Sequence, residues 1–225
     1  PVGHFEAMPT PPTKLSCHEG ATQEEIQTAI KAQRELWELH QVRVKKYMRT
    51  RSVLKVANEY NDGREFYYGW NFDYRGRMYP LNTFLQIQGT DLDRSLICFS
   101  EGSELTKSGE KWASRAVAAA YLGTEDSYTF RECWTKENEA LIRRVATYPE
   151  GTIPEWEGAK DPWQFLQLCI EYNAVVLEKF KALWQVPIAI DSTASGLQLL
   201  SAMRLDKQGM TYANLLKPDK GAKPL

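Results

Sequence analysis

A capping box opens the strongest pattern in the chain. Thr22 and Glu25 stand three residues apart, the spacing at which a threonine hydroxyl and a glutamate side chain each satisfy a free amide at a helix start. Apolar residues then recur on one helical face at Ile26, Ile30, Trp37 and Val44. This predicts one long helix over about residues 23–59, ended by Asn61-Asp62-Gly63. Ahead of it, residues 1–20 contain four prolines and read as irregular. From Gln41 to Lys55 the helix carries Arg43, Lys45, Lys46, Arg49, Arg51 and Lys55 with no acid among them. Such a block is either a solvated helix face or a surface for phosphates. The formal net charge of −1 provides no global basic field, so only this local distribution speaks for the second reading.

Beyond the helix the texture changes. Phe66, Tyr67, Tyr68, Trp70, Phe72, Tyr74 and Tyr79 crowd the stretch from Glu65 to Pro80, which predicts short strands with tight turns. A further strand is expected at Ser95–Phe99. Helices come next at about 107–121, ended by Gly123, and at about 126–147, ended before Pro149. Residues 148–160 read as a loop. Asp161-Pro162 supplies an N-cap and a first-turn proline. The helix it opens runs to about Trp184, with Phe165, Leu168, Cys169, Tyr172 and Val176 on its apolar face. Glu171 and Tyr172 fall in this helix as structural residues. Strands followed by helical layers predict the α+β class.

Several function classes fall away. No uninterrupted apolar run approaches about 18 residues, so no membrane span is expected. The start Pro1-Val2-Gly3-His4 has no secretory character. Cys17, Cys98, Cys133 and Cys169 show no Cys-x-x-Cys spacing, and the three histidines are scattered; reduced thiols are expected, and no zinc set.

Val186-Pro187-Ile188-Ala189-Ile190 reads as a short buried strand that runs into Asp191, then Ser192-Thr193-Ala194-Ser195-Gly196, then a helical pattern over about 197–203. A carboxylate at the end of a strand has two readings. It is the N-cap of the next helix, or it is aimed out of a rigid scaffold as a hard oxygen ligand for a phosphoryl-transfer metal. The small residues after it leave room for a nucleotide, with Ser195 and Gly196 as pocket candidates.

The segment Pro187 to Gln198 resembles motif A of the single-subunit RNA polymerases of phages, mitochondria and plastids. Eleven of its twelve positions suit the family pattern. Ser192 departs from it, standing where glycine is usual, and Leu199 stands where histidine is common. A second block, Asn71-Phe72-Asp73-Tyr74-Arg75-Gly76-Arg77-Met78-Tyr79, is similar to the family's Asp-aromatic-Arg-Gly-Arg segment near the start of the palm. Weaker echoes at Gln88–Asp91, Lys107–Ala120 and Asp161–Tyr172 extend the resemblance over about residues 20–215.

The resemblance implies an α+β polymerase fragment. Residues 1–62 would be a thumb-derived helical segment and 63–225 the first part of the palm, a small antiparallel sheet with packed helices. It implies two Mg²⁺ ions in the complete enzyme, with Asp191 and the Ser192 carbonyl as ligands and Asp191 catalytic. Arg75 and Arg77 would contact nucleic acid, and Arg43, Lys45, Lys46 and Arg49 would track the phosphates of the duplex. The implied partners are a DNA template, the RNA product, nucleoside triphosphates, and the fingers and remaining palm of a parent chain or partner subunit. The second aspartate and the triphosphate-binding helix of the family are not found in these residues. The lack of a starting Met and the stop at Lys223-Pro224-Leu225 are read as a truncation, and the fragment alone is expected to be inactive. The expected location is the cytoplasm of a phage-infected bacterial host, with the mitochondrion as the less favoured alternative. The competing readings are a subunit of a split polymerase, a nucleic-acid-binding module with a stacking surface near Trp70, and a carbohydrate-active enzyme. The last lacks a second acid to face Asp191.

Overall fold

A computed structural model describes residues 8–15, 22–74, 77–189, 195–213 and 215–216. The chain divides into two compact units, Pro1–Pro187 and Ile188–Leu225. It is α+β, with a long helix near its start and, among the described residues, one small antiparallel sheet and a packed helical layer.

In the first unit, α1 runs from Gln23 to Glu59, a rod of about 55 Å at 1.5 Å per residue. The Thr22/Glu25 capping box forms as expected. The buried residues of α1 are Thr50 and Val53; Ile30, Trp37 and Val42 are exposed. After α1 the chain descends a ladder of rings. Tyr60 meets Phe66 at 5.0 Å, Phe66 meets Tyr68 at 5.5 Å, and Tyr68 meets Trp70 at 6.2 Å. Trp70 opens β1 (Trp70–Phe72), which pairs antiparallel with β2 (Met78–Pro80) in the register Trp70↔Pro80, Asn71↔Tyr79 and Phe72↔Met78.

The helical layer comprises α2 (Asp91–Ser95), α3 (Lys107–Leu122), α4 (Tyr128–Glu137), α5 (Glu139–Thr147), α6 (Ile153–Trp156) and α7 (Pro162–Tyr172). Helix α7 packs against α2, α3, α5 and α6. Ala113, Val117, Ala118, Ile142, Val145, Phe165 and Cys169 are fully or almost fully buried between these helices. The Thr135 hydroxyl donates to the Ser114 carbonyl at 2.7 Å and ties α4 to α3. Tyr121 stacks on Trp134 at 4.9 Å and tilts against Phe165 at the same distance. Cys98, Cys133 and Cys169 are free thiols; Cys17 lies outside the described residues.

The structure corrects several expectations, among them the loop over 148–160, which contains α6. Residues 126–147 form two helices, because Asn138 leaves the helical path between α4 and α5. The helix from Pro162 stops being α-helical at Tyr172 and continues as a π turn over Asn173–Leu177. Asp161 precedes that helix but makes no side-chain cap bond. The cap comes from Asp91, whose carboxylate accepts from the Trp163 amide at 2.8 Å and the Gln164 amide at 3.0 Å. The strand expected at Ser95–Phe99 is absent, since Ser95 closes α2. Residues 99–103 instead pair irregularly with a distant run: the Phe99 amide donates to the Gln185 carbonyl at 2.9 Å, and Ser103 bridges Trp184.

In the second unit, α8 (Ser195–Met203) packs on α9 (Lys207–Tyr212). Asp206 caps α9 through the Gln208 and Gly209 amides, both at 3.1 Å. The Gln198 side chain donates to the Ala213 carbonyl at 2.6 Å.

Candidate functional site

The hairpin that carries Arg77 is shaped by Asp73. The Asp73 amide donates to the Arg77 carbonyl at 3.0 Å, and the Asp73 carboxylate accepts from the Arg77 amide at 3.0 Å. Asp73 thus holds the backbone of Arg77, and the residue is exposed. Phe72 and Tyr74 beside it are also exposed, at 62% and 95%. Arg75 lies outside the described residues.

The basic helix resolves into two kinds of cation. Arg43, Lys45 and Lys46 are exposed. Arg49 is different: its Nη2 lies 3.0 Å from Oδ2 of Asp93, a side chain with no solvent exposure. Asp93 also accepts from the Thr90 hydroxyl at 2.5 Å and the Thr90 amide at 3.0 Å. Burial alone pushes the Asp93 carboxyl upward; the Thr90 hydroxyl and the Arg49 guanidinium outweigh it and hold the group below its ordinary range. Gly89 makes room for this knot, since a Cβ there would lie 2.6 Å from the Asp93 Cβ. Nearby, Tyr68 donates to the Leu85 carbonyl at 2.9 Å. Burial, and then the Asp93 charge, push its phenol up to about 12.

A third cluster holds the run that leads to Asp191. Glu171, on the last turn of α7, is only 6% exposed. Its carboxylate accepts two bonds from Lys181 Nζ, at 2.9 and 2.7 Å, and one from the Gln185 amide at 2.6 Å. Glu171 and Tyr172 are both buried, as the helical pattern implied. The strand expected over 186–190 does not form across 186–189. The pairing here is the single bridge of Trp184 to Ser103, and Ile190 is outside the described residues.

Asp191 and Ser192 also lie outside the described residues. Ser195 and Gly196 open α8, and a Cβ on Gly196 would meet nothing within 4 Å. Among the described residues, no group of three or more His, Cys, Asp or Glu could hold a metal ion. The candidate donors, one carboxylate and one carbonyl, fall short of the six or so oxygens magnesium takes. They fit a share of a metal site and not a whole one. No described helix is long and apolar enough to cross a membrane.

The Arg49–Asp93 pair, the Asp91 cap and the Glu171 cluster were not read from the sequence. Only the Thr90/Asp93 spacing, a second capping box, offered a local signal.

Comparison with known proteins decides the family. A model described as DNA-dependent RNA polymerase matches residues 103–223, just over half of the chain. The chain belongs to the DNA-dependent RNA polymerase family. The polymerase match takes in the Glu171 cluster, the Asp191 segment, α8 and α9. The chain is similar to DNA-directed RNA polymerase 1, mitochondrial, of Arabidopsis thaliana, at 35% identity over 173 residues, which is 75% of this chain and 18% of that polymerase. It is 34% identical over 171 residues to the mitochondrial DNA-directed RNA polymerase of Neurospora crassa, covering 75% of this chain and 12% of the relative. With DNA-directed RNA polymerase 2B, chloroplastic/mitochondrial, of Nicotiana tabacum it shares 30% identity over 211 residues, 88% of this chain and 21% of the relative. The chain therefore spans about a fifth or less of the length of these polymerases. The resemblance to the single-subunit polymerases is borne out. A phage-infected host draws no support from relatives named as mitochondrial and chloroplastic.

Proposed function

We propose that the chain is part of a DNA-directed RNA polymerase that transfers nucleotides from nucleoside triphosphates to an RNA 3′ end. Residues 1–62 belong to its thumb and 63–225 to the first part of its palm. One observation carries this reading: the polymerase match over 103–223 includes Pro187–Gln198, the segment with the motif A pattern. Asp191 supplies a carboxylate ligand and Ser192 a carbonyl oxygen to the metal site. Two Mg²⁺ ions bound there would supply charge stabilisation to the attacking and leaving oxygens.

The chain's own residues bind and orient. Arg77, exposed on a hairpin whose turn Asp73 fixes, presents a guanidinium fork suited to phosphate; Arg75 serves the same strand. Arg43, Lys45 and Lys46 face solvent and track duplex phosphates without reading sequence. Arg49 sets the helix in place through Asp93. Ser195 and Gly196 leave room for the nucleotide. The organellar names of the relatives support a mitochondrial or plastid type of polymerase. These 225 residues contribute one carboxylate to a site that needs more, so alone they make no RNA.

A templated extension assay tests both statements. The parent polymerase with Asp191→Ala is expected to lose RNA synthesis; wild-type synthesis by that variant ends the reading. Mg²⁺-dependent synthesis by the 225-residue chain overturns the incompleteness.

A further inference from the structure

We propose that the exposed apolar stripe of α1 is an interface for a second copy of this chain, the two helices lying antiparallel with Trp37 of one against Trp37 of the other. The stripe is the face that the sequence singles out: Ile26, Ile30, Trp37, Val44 and, four residues on, Met48. At about 100° per residue these side chains fall within one sector of about 40° and run for roughly 33 Å along the helix. The residues that seat α1 on its own unit, Thr50 and Val53, lie about 140–160° round from Trp37. The apolar face is therefore turned away from the body to which the helix belongs. Ile26, Ile30, Trp37 and Met48 are 40%, 60%, 43% and 50% exposed. The segment over 8–15 does not close the stripe. Leu15 donates its amide to Gln33 Oε1 at 2.6 Å, at the margin of the face, and is itself 46% exposed. A contiguous exposed apolar surface of this kind marks a protein contact.

Two observations name the occupant. The first is symmetry. Ile26 and Met48 stand 11 residues on either side of Trp37, and Ile30 and Val44 stand 7 on either side, so reversing the helix lays the stripe on itself. A two-fold contact requires a patch that matches its own reverse. Antiparallel copies set Ile26 against Met48 and Ile30 against Val44. The two Trp37 rings then meet at the axis, where large aromatic side chains contribute most to an interface. The second is charge. Residues 23–40 carry Glu24, Glu25, Glu35 and Glu38 against Lys31 and Arg34, whereas 41–55 carry six cations and no acid. Parallel copies lay the basic halves together; antiparallel copies lay each basic half along an acidic one. Lys46 stands about 180° from Trp37, so the seam leaves it to solvent. Two helices in contact over about 33 Å make a small specific interface, and a dissociation constant in the micromolar range is expected. The inference goes beyond the polymerase reading and does not depend on it.

Sedimentation velocity on the 225-residue chain tests the pairing over a concentration series from about 1 to about 200 µM, which brackets that range. The expected result is a shift from monomer to dimer as concentration rises. Trp37→Glu and Ile30→Lys, at exposed positions, are each expected to raise the dissociation constant about tenfold or more. Val42→Glu, at a position 63% exposed but about 140° round from Trp37, is expected to leave it unchanged. Orientation is read by mixing chains that carry Ile30→Cys or Val44→Cys, oxidising them and locating the new disulfides by peptide mass spectrometry. Joins between positions 30 and 44 are expected. A monomer at every concentration overturns the proposal, and is the outcome if other segments of a longer polymerase cover the stripe. A dimer that Trp37→Glu and Ile30→Lys leave intact, one that Val42→Glu abolishes equally, or joins of 30 to 30 also overturn it.

Discussion

Arg49, in the long N-terminal helix, reaches across 44 residues of sequence to the fully buried carboxylate of Asp93 and meets it at 3.0 Å. The pair joins α1 to the start of the helical layer. Replacing Arg49 with Ala leaves a buried carboxylate without its cation. The expected loss is about 2–3 kcal/mol of unfolding free energy, toward the low end for a broken buried pair because Arg49 is 37% exposed. Urea denaturation measures it, and a loss below about 1 kcal/mol, the range of surface pairs, contradicts the anchoring role.

The same pair has a pH signature. The Asp93 carboxyl is held below its ordinary range in the fold, so its contribution is fully present above the usual carboxylate pKa. It is lost as pH falls through the lowered folded value. The stability gap between wild type and Asp93→Asn is therefore expected to be widest near neutral pH and to shrink in acid. A gap that widens on acidification would reverse the sign.

Gly89 is packed against this knot. Gly89→Ala places a methyl group 2.6 Å from the Asp93 Cβ, and the neighbouring atom is buried, not a flexible tip. A destabilisation of about 1–3 kcal/mol, typical of overpacking, is expected in thermal unfolding; an unchanged Tm would show that the turn opens freely.

Helix α7 separates local from distant capping. Asp91→Ala removes the acceptor for the Trp163 and Gln164 amides and is expected to cost about 1–2 kcal/mol. Asp161→Ala removes a half-exposed pair with Arg94 at 3.5 Å, worth at most about 1 kcal/mol. Equal losses for the two variants would mean that Asp91 is not the cap.

The exposed cations of α1 predict a salt effect. Converting Arg43, Lys45 and Lys46 together to Gln is expected to flatten the plot of log affinity for duplex DNA against log salt by about 2–3 units, near 0.9 per lost phosphate contact. Fluorescence anisotropy over a salt series reads this, and an unchanged slope removes the helix from the interface.

Legibility in the sequence tracked the range of the interactions. The long helix matched its expected bounds because its capping box and periodicity are local, and the aromatic stretch gave its hairpin for the same reason. Ser95–Phe99 reads as a strand from its β-prone residues, but Ser95 closes α2 and Phe99 bonds to Gln185, a partner 86 residues away that no window detects. Asp161 looked like a cap by position, while the working cap comes from Asp91, 72 residues before Trp163. In the candidate site the residue types of motif A were plain, but the Glu171–Lys181 pair upstream of it reads in sequence as one acid and one base among many. Arg49 was grouped with its basic neighbours because nothing local distinguishes a cation that finds a buried partner.

The burial of α1 at Thr50 and Val53, far toward its C-terminal end, gives the helix the mechanics of a lever. Gln23 lies 27 residues before Thr50, about 40 Å along the axis. A pivot of about 5° at that fulcrum sweeps Gln23 through roughly 3.5 Å, a gain set by helix rise and length alone.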